Sequence, residues 1–182
     1  FRHEDLKDFS SSYFNIFNKE SGRCISFDTT NVSTNNVVHL KPYSSSDKTQ
    51  LVRLDYSGYP LWRIGYYKKD STDFCLQMEF GTPRTLCSGT PVTIGEYVKK
   101  PIDQWFFIPL GGDVYRIMNK HTGFFLDMHK DKETGAEILV QSTYSERDSQ
   151  KWILKRQGAN EYAEEFFKPR SAFSEAMRVF DL

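Results

Sequence analysis

The sequence has no surplus of either charge: its 24 Lys and Arg residues are matched by 24 Asp and Glu. Nucleic acids and anionic membrane surfaces are bound through clustered positive charge, so this balance argues against both as partners. Long apolar runs are missing too. The longest, "WFFIPL" at 105–110, is far short of the roughly 20 residues that span a bilayer, and no membrane insertion is expected. The four histidines (His3, His39, His121 and His129) form no His-Glu-x-x-His pattern. A Gly-x-Ser-x-Gly elbow and a phosphate-cradling glycine loop are also lacking. The expectation is a non-catalytic protein without cofactor or metal. The acids of "DMHKDKETGAE" lack the Asp-x-Asp-x-Asp-Gly order of a calcium loop and read as an exposed polar hairpin. Cysteine is scarce, with three in the chain. Cys75 and Cys87 bracket a Gly/Pro loop, "CLQMEFGTPRTLC", where a disulfide is expected as a hairpin staple, with Cys24 free or paired elsewhere. A first residue that is Phe rather than Met points to a removed leader or a trimmed chain, and the staple leads to the expectation of a secreted, extracellular protein.

Aromatic residues are plentiful, with 15 Phe, 10 Tyr and 3 Trp, a mix that packs well on the pleated surfaces of many short strands. Three stretches share one pattern: "YFNIFNKESGRCISF" from Tyr13, "LWRIGYYKKDSTDFCLQM" from Leu61 and "VYRIMNKHTGFFLDM" from Val114. Each opens on an aromatic, then Asn or Arg, then Ile: Phe14-Asn15-Ile16, Trp62-Arg63-Ile64 and Tyr115-Arg116-Ile117. Each returns, after a polar turn, to an apolar pair: Cys24-Ile25, Cys75-Leu76 and Phe125-Leu126. These are pairs of short strands joined by turns. A second landmark keeps the same phase: Gln50-Leu51-Val52, Asp103-Gln104-Trp105 and Gln150-Lys151-Trp152. The Trp is expected to face inward, with the Gln bonding amides of the preceding turn.

Three units of about fifty residues and four strands share one core when arranged around an axis. This predicts an all-β protein, a β-trefoil. It spans 12–157, with repeats of about 12–57, 58–110 and 111–157, an N-terminal arm over 1–11 and a helical tail over 158–182. In that tail Phe173, Met177 and Phe180 form one apolar stripe, suited to covering the open end of the barrel or to docking on a partner.

The triplets resemble the Gln-x-Trp repeat of the ricin B-type trefoil family, intact at Gln150 and Trp152 and weakened at Asp103/Trp105 and Gln50/Val52. "DFCLQMEFGTPRTLC", "FFIPLGGDVYRI" and "EDLKDF" are similar to stretches in the trefoil binding subunits of cytolethal distending toxins. The resemblance implies a carbohydrate-binding protein, the cell-surface-binding subunit of a secreted toxin or a free-standing lectin. Its partners would be a glycan or glycosylated receptor and other toxin subunits, including a catalytic chain. In that family an Asp after the second strand's apolar pair accepts bonds from sugar hydroxyls, an aromatic ring stacks on the sugar, and a polar residue precedes the Gln.

Carried over to the third repeat, this implies a sugar site of Asp127, His129, Gln141, Tyr144, Ser149 and Gln150. Leu139 occupies the inner polar position, Gln141 the platform position, and Tyr144 is a displaced platform. Asp127 reads equally as a turn residue bonding its own loop. The first repeat has Ser26, His39 and Lys41 at these positions, with Asp28 nearby. The second has Gln77, with Tyr97 at the end of its segment. Two other readings stand beside this one: a trefoil protease inhibitor presenting Arg84 in the Cys75–Cys87 loop, and a protein-binding adaptor with degenerate pockets. Asn31-Val32-Ser33 is a glycosylation sequon if the chain enters a eukaryotic secretory pathway.

Overall fold

The computed structural model describes residues 9–27, 37–58, 60–69, 73–79 and 81–162. Each repeat supplies four strands. The first holds β1 (Ser12–Asn18), β2 (Cys24–Ser26), β3 (His39–Lys41) and β4 (Val52–Tyr56). The second holds β5 (Leu61–Tyr66), β6 (Phe74–Gln77), β7 (Thr93–Glu96) and β8 (Trp105–Gly111). The third holds β9 (Val114–Asn119), β10 (Phe125–Lys130), β11 (Glu137–Ser142) and β12 (Trp152–Ala159). A short 3-10 turn precedes the last strand of each repeat, at Lys48–Gln50, Pro101–Asp103 and Asp148–Gln150.

The first and last strands of the repeats close into a ring. β1 pairs with β4, β4 with β5, β5 with β8, β8 with β9, β9 with β12, and β12 with β1, all antiparallel. Closure leaves none of these six strands an unpaired edge. The middle strands form the hairpins β2–β3, β6–β7 and β10–β11. The hairpins join one another over one end of the barrel, through Ile138 opposite His39, Val37 opposite Thr93 and Pro91 opposite Val140. This is a β-trefoil.

The inward residues follow the threefold phase. Val52 and Leu54, Trp105 and Phe107, and Trp152 and Leu154 come from the closing strands and are all buried. The indole N–H groups of Trp105 and Trp152 donate to the carbonyls of Leu76 and Leu126, each 3.1 Å away, so neither ring buries an unpaired donor. The residue two before each inward position ties down the loop ahead of it. Gln50 Oε1 accepts from Ser44 N at 3.0 Å and its Nε2 donates to Pro42 O at 3.0 Å. Gln150 makes the same pair with Ser145 N and Thr143 O, at 2.9 and 2.7 Å. Asp103 has no donor. Its two oxygens accept from Val98 N and Lys100 N at 2.8 and 3.0 Å, in a turn where Lys99 takes a positive φ of 53°. The turns after β1 and β9 are alike. Asn18 and Asn119 each accept two loop amides through Oδ1, and Gly22 and Gly123 supply the left-handed residue at φ 71° and 70°.

The aromatic that opens each repeat, Phe14, Trp62 and Tyr115, faces the end of the barrel away from the hairpins. Phe9 sits among them, edge-on to Phe14, Trp62, Phe107 and Tyr115 at 4.9–6.0 Å between ring centres. A residue assigned to the N-terminal arm thus plugs the open end. Asn160 closes the same end, with N–H and Nδ2 donating to the carbonyls of Ser11 and Ser10. Residues 9–11 and 158–162 therefore belong to the barrel, and β12 continues as strand where a helical tail is expected to start. Phe173, Met177, Phe180 and the sequon at Asn31 lie outside the described residues.

The expected disulfide is corrected. Cys75 is a buried residue of β6, whereas Cys87 is exposed at the end of the 3-10 turn Pro83–Leu86, its Sγ 3.4 Å from Pro83 O. The two thiols face different surroundings and are free, as is Cys24. Burial pushes the Cys24 thiol up to about 12 and the Cys75 thiol up as well, so both behave as small apolar core residues.

Replacing Phe9 with Ala should cost about 3–5 kcal/mol of stability, read from urea unfolding, while Phe9→Leu should keep most of it. Burial raises the Asp103 carboxyl above its ordinary value, against the pull of its two amide donors. A raised acid stabilises the fold below the unfolded-state value, and that contribution is lost as pH rises through the folded-state value. The stability difference between Asp103→Asn and the wild type should accordingly move in the variant's favour from about pH 4 upward.

Candidate functional site

The residues singled out in the third repeat fall into two groups. Asp127, on β10, is buried. Its Oδ1 accepts from the N–H of Met128 at 2.7 Å, and its Oδ2 accepts from Gln150 Nε2 at 3.2 Å. The Arg147 guanidinium, largely exposed, stands 3.7 Å from the same Oδ2 and forms the outer face of the carboxylate. Gln150 therefore holds the loop 143–145 and Asp127 together. A carboxylate has about four acceptor positions, so Asp127 keeps capacity beyond these bonds.

Tyr144 is the exposed member, at 56%. Its backbone is fixed on both sides, because the bonds from Gln150 go to the carbonyl before it and the amide after it. Its ring is edge-on to Phe125 at 5.6 Å and is backed by the Arg116 guanidinium 4.7 Å from the ring centre. Its hydroxyl donates to Glu146, a bond that raises the phenol's pKa. Arg116, buried on β9, donates to Ser145 O at 2.8 Å and lies 3.6 Å from Glu146 Oε2. Tyr144 is thus a braced, outward aromatic residue with the Glu146 carboxylate on its hydroxyl and Arg116 behind its ring.

Two expectations are corrected. Gln141 offers no platform. It is fully buried, and its Nε2 donates to the carbonyls of Thr85 and Cys87 at 2.7 and 2.9 Å, tying the third hairpin to the second repeat. Ser149 is buried as well, its carbonyl accepting Asn18 Nδ2 at 2.8 Å, and the side chain reaching Asp127 from that loop is Arg147. His129 is exposed one pleat beyond Asp127, opposite Ile138 and toward the turn at Asp131. Arg116 and Arg147 carry no signal in the Gln-x-Trp pattern. The repeat pattern marks Arg116 only as the counterpart of Asn15 and Arg63.

The loop bonds reveal a further threefold set. Tyr43, Tyr97 and Tyr144 each directly precede the residue whose amide is held by Gln50, Asp103 or Gln150. The three are not equivalent in surroundings. Tyr97 stacks on Arg63, 5.0 Å away, and its hydroxyl bonds Ser57 Oγ. Arg63 is itself locked with Arg53 between Asp55 and Asp73. Tyr43 is exposed and edge-on to Phe17, but the Asp position of its repeat is Ser26, whose hydroxyl is shared with Thr49. In the second repeat Gln77 lies across Gly95, where a β-carbon would collide with it. An open ring beside a carboxylate occurs in the third repeat.

Residues 12–152 match the sequence profile of the ricin-type beta-trefoil lectin domain. The chain belongs to that family. The solved structures it is similar to share the fold at low identity. ThreeFoil, a designed 3-fold symmetric protein, is 22% identical with a TM-score of 0.65, over 78% of this chain and 96% of that one. An exo-beta-1,3-galactanase from Clostridium thermocellum is 19% identical with a TM-score of 0.68, over 80% of this chain and 30% of the enzyme's. The C-terminal domain of an earthworm lectin, a mutant solved in complex with 6'-sialyllactose, is 13% identical with a TM-score of 0.56, over 80% and 99%. No curated protein sequence matches.

Arg84, the residue expected to project from the Cys75–Cys87 loop, sits in a tight turn. Pro83–Leu86 is a 3-10 turn, and the carbonyl of Arg84 accepts from Cys87 N and Thr90 Oγ1 at 3.0 and 2.6 Å.

Gln150→Glu keeps the acceptor for Ser145 but turns the donor toward Asp127 into a second carboxylate. The variant should lose about 2–4 kcal/mol at neutral pH. Adding Asp127→Asn should recover part of it, which thermal melts of the single and double variants will show.

Proposed function

We propose that this chain is a non-catalytic glycan-binding protein whose working site is the Tyr144 face of the third repeat. The carrying observation is the braced, exposed ring of Tyr144 beside a carboxylate. A sugar presents C–H bonds over its ring face and hydroxyls around its rim. An aromatic plane with directed polar groups at its edge suits both. Tyr144 is the plane, with Arg147 and Glu146 offering a donor and an acceptor at the rim. Asp127, buried behind Arg147, positions the loop through Gln150. Membership of the lectin family supports this reading, as does the fold shared with a lectin solved on a sialylated sugar. The likeness to toxin binding subunits in "DFCLQMEFGTPRTLC" extends it to a secreted protein that meets glycoconjugates on a cell surface.

The test is a glycan array followed by titration of the best ligand. Tyr144→Ala should weaken binding tenfold or more, by the measure of one lost aromatic contact, with melting behaviour unchanged. Tyr56→Ala, an exposed ring on β4, serves as the control and should bind as wild type. An array left blank by folded protein, or equal loss from both variants, sinks the proposal.

A further inference from the structure

Beside the Tyr144 face is a hollow of about 280 Å³, near the small end of ligand pockets. Its wall carries Lys19 from the β1–β2 turn, Arg116 from β9, Lys151 from the third Gln-x-Trp triplet, and Glu146, with Leu110 and Val114 as the apolar side. Three cations thus face one carboxylate. Their existing partners hold them loosely. Lys19 and Lys151 share Asp148, at 3.8 and 3.0 Å, and that carboxylate is itself half exposed, a setting in which ion pairs are worth little. Arg116 is the buried member. Its firm bond is to Ser145 O, and Glu146 approaches it only to 3.6 Å with a side chain 80% exposed. Glu146 therefore occupies the place of an acid without being packed there. The hollow and the platform share two residues: Arg116 backs the Tyr144 ring, and Glu146 takes the Tyr144 hydroxyl.

We infer that this hollow receives an acidic substituent, a carboxylate or a sulfate, of the sugar stacked on Tyr144. This inference rests on the glycan reading above and gives it a ligand class: acidic rather than neutral glycans. The incoming anion displaces Glu146 from Arg116 and draws on the two lysines. Glu146 acts as a built-in competitor that neutral sugars have no means of displacing. Charge-assisted bonds are about twice as strong as neutral ones, which places the selectivity at roughly tenfold.

The experiment is an array carrying lactose, 6'-sialyllactose and 6'-sulfolactose among matched neutral, sialylated and sulfated galactosides, followed by calorimetric titration. Acidic members should bind roughly tenfold tighter than their neutral parents, with the gap narrowing as salt is raised. The carboxylate and sulfate series separate the two sources of charge. Lys19→Ala/Lys151→Ala should cut the preference to about two- to threefold while the protein melts normally, and Glu146→Gln should tighten acidic ligands by about two- to fivefold. Equal binding of neutral and acidic members overturns the inference and leaves the glycan reading standing. An acidic preference untouched by the lysine and Glu146 variants also overturns it. A blank array overturns both.

Discussion

The buried amide of Gln150 is the interaction on which the Tyr144 face depends. It has no water to fall back on, so each of its polar atoms has to be matched inside the protein. It meets that demand by bonding the carbonyl before Tyr144, the amide after it, and the carboxylate of Asp127. One side chain thereby fixes an aromatic residue, a loop and an acid in a single geometry. Two residues on, Trp152 is sunk in the barrel with its indole bonded to Leu126, the residue beside Asp127. The core motif and the surface site are consecutive parts of one chain segment.

The same device works three times with different results. Gln50 holds the loop around Tyr43, but no carboxylate stands at Ser26 to complete a site. Asp103 holds the loop after Tyr97 by acceptance alone, and there the Arg53, Arg63, Asp55 and Asp73 cluster has pinned the ring down. Breaking such a buried ion cluster is costly even where forming it gains little, so the second repeat is committed to structure. The third repeat differs because Arg116, which matches Arg63, is engaged by a loop carbonyl and an exposed glutamate instead of two aspartates. Its tyrosine stays open.

The barrel's open end shows the same economy of position. Phe14, Trp62 and Tyr115 leave an aromatic-lined mouth on the threefold axis, and Phe9 fills it edge-on. Which aromatic segment reaches the axis is a matter of where the chain enters the barrel, and periodicity does not encode that.

The sequence by itself determined the threefold phase, the four-strand repeat and the inward set. Ile16, Ile64 and Ile117 recur with their aromatics, and Val52, Trp105 and Trp152 recur with their Gln or Asp. Those regularities survive in sequence because a closed barrel demands the same apolar positions of each repeat. Tertiary structure decided the rest. Gln141 turned out to be a tie to Thr85 and Cys87, residues more than fifty positions away, and the paired-cysteine loop closed on itself as a 3-10 turn with both thiols free. Arg147 reaches Asp127 and Arg116 reaches Tyr144 through contacts across 20 and 28 positions that no local pattern records. The scaffold is written in repeats, which are local and periodic. The site depends on which side chains the closed barrel brings together, and that follows only once the six strands have met.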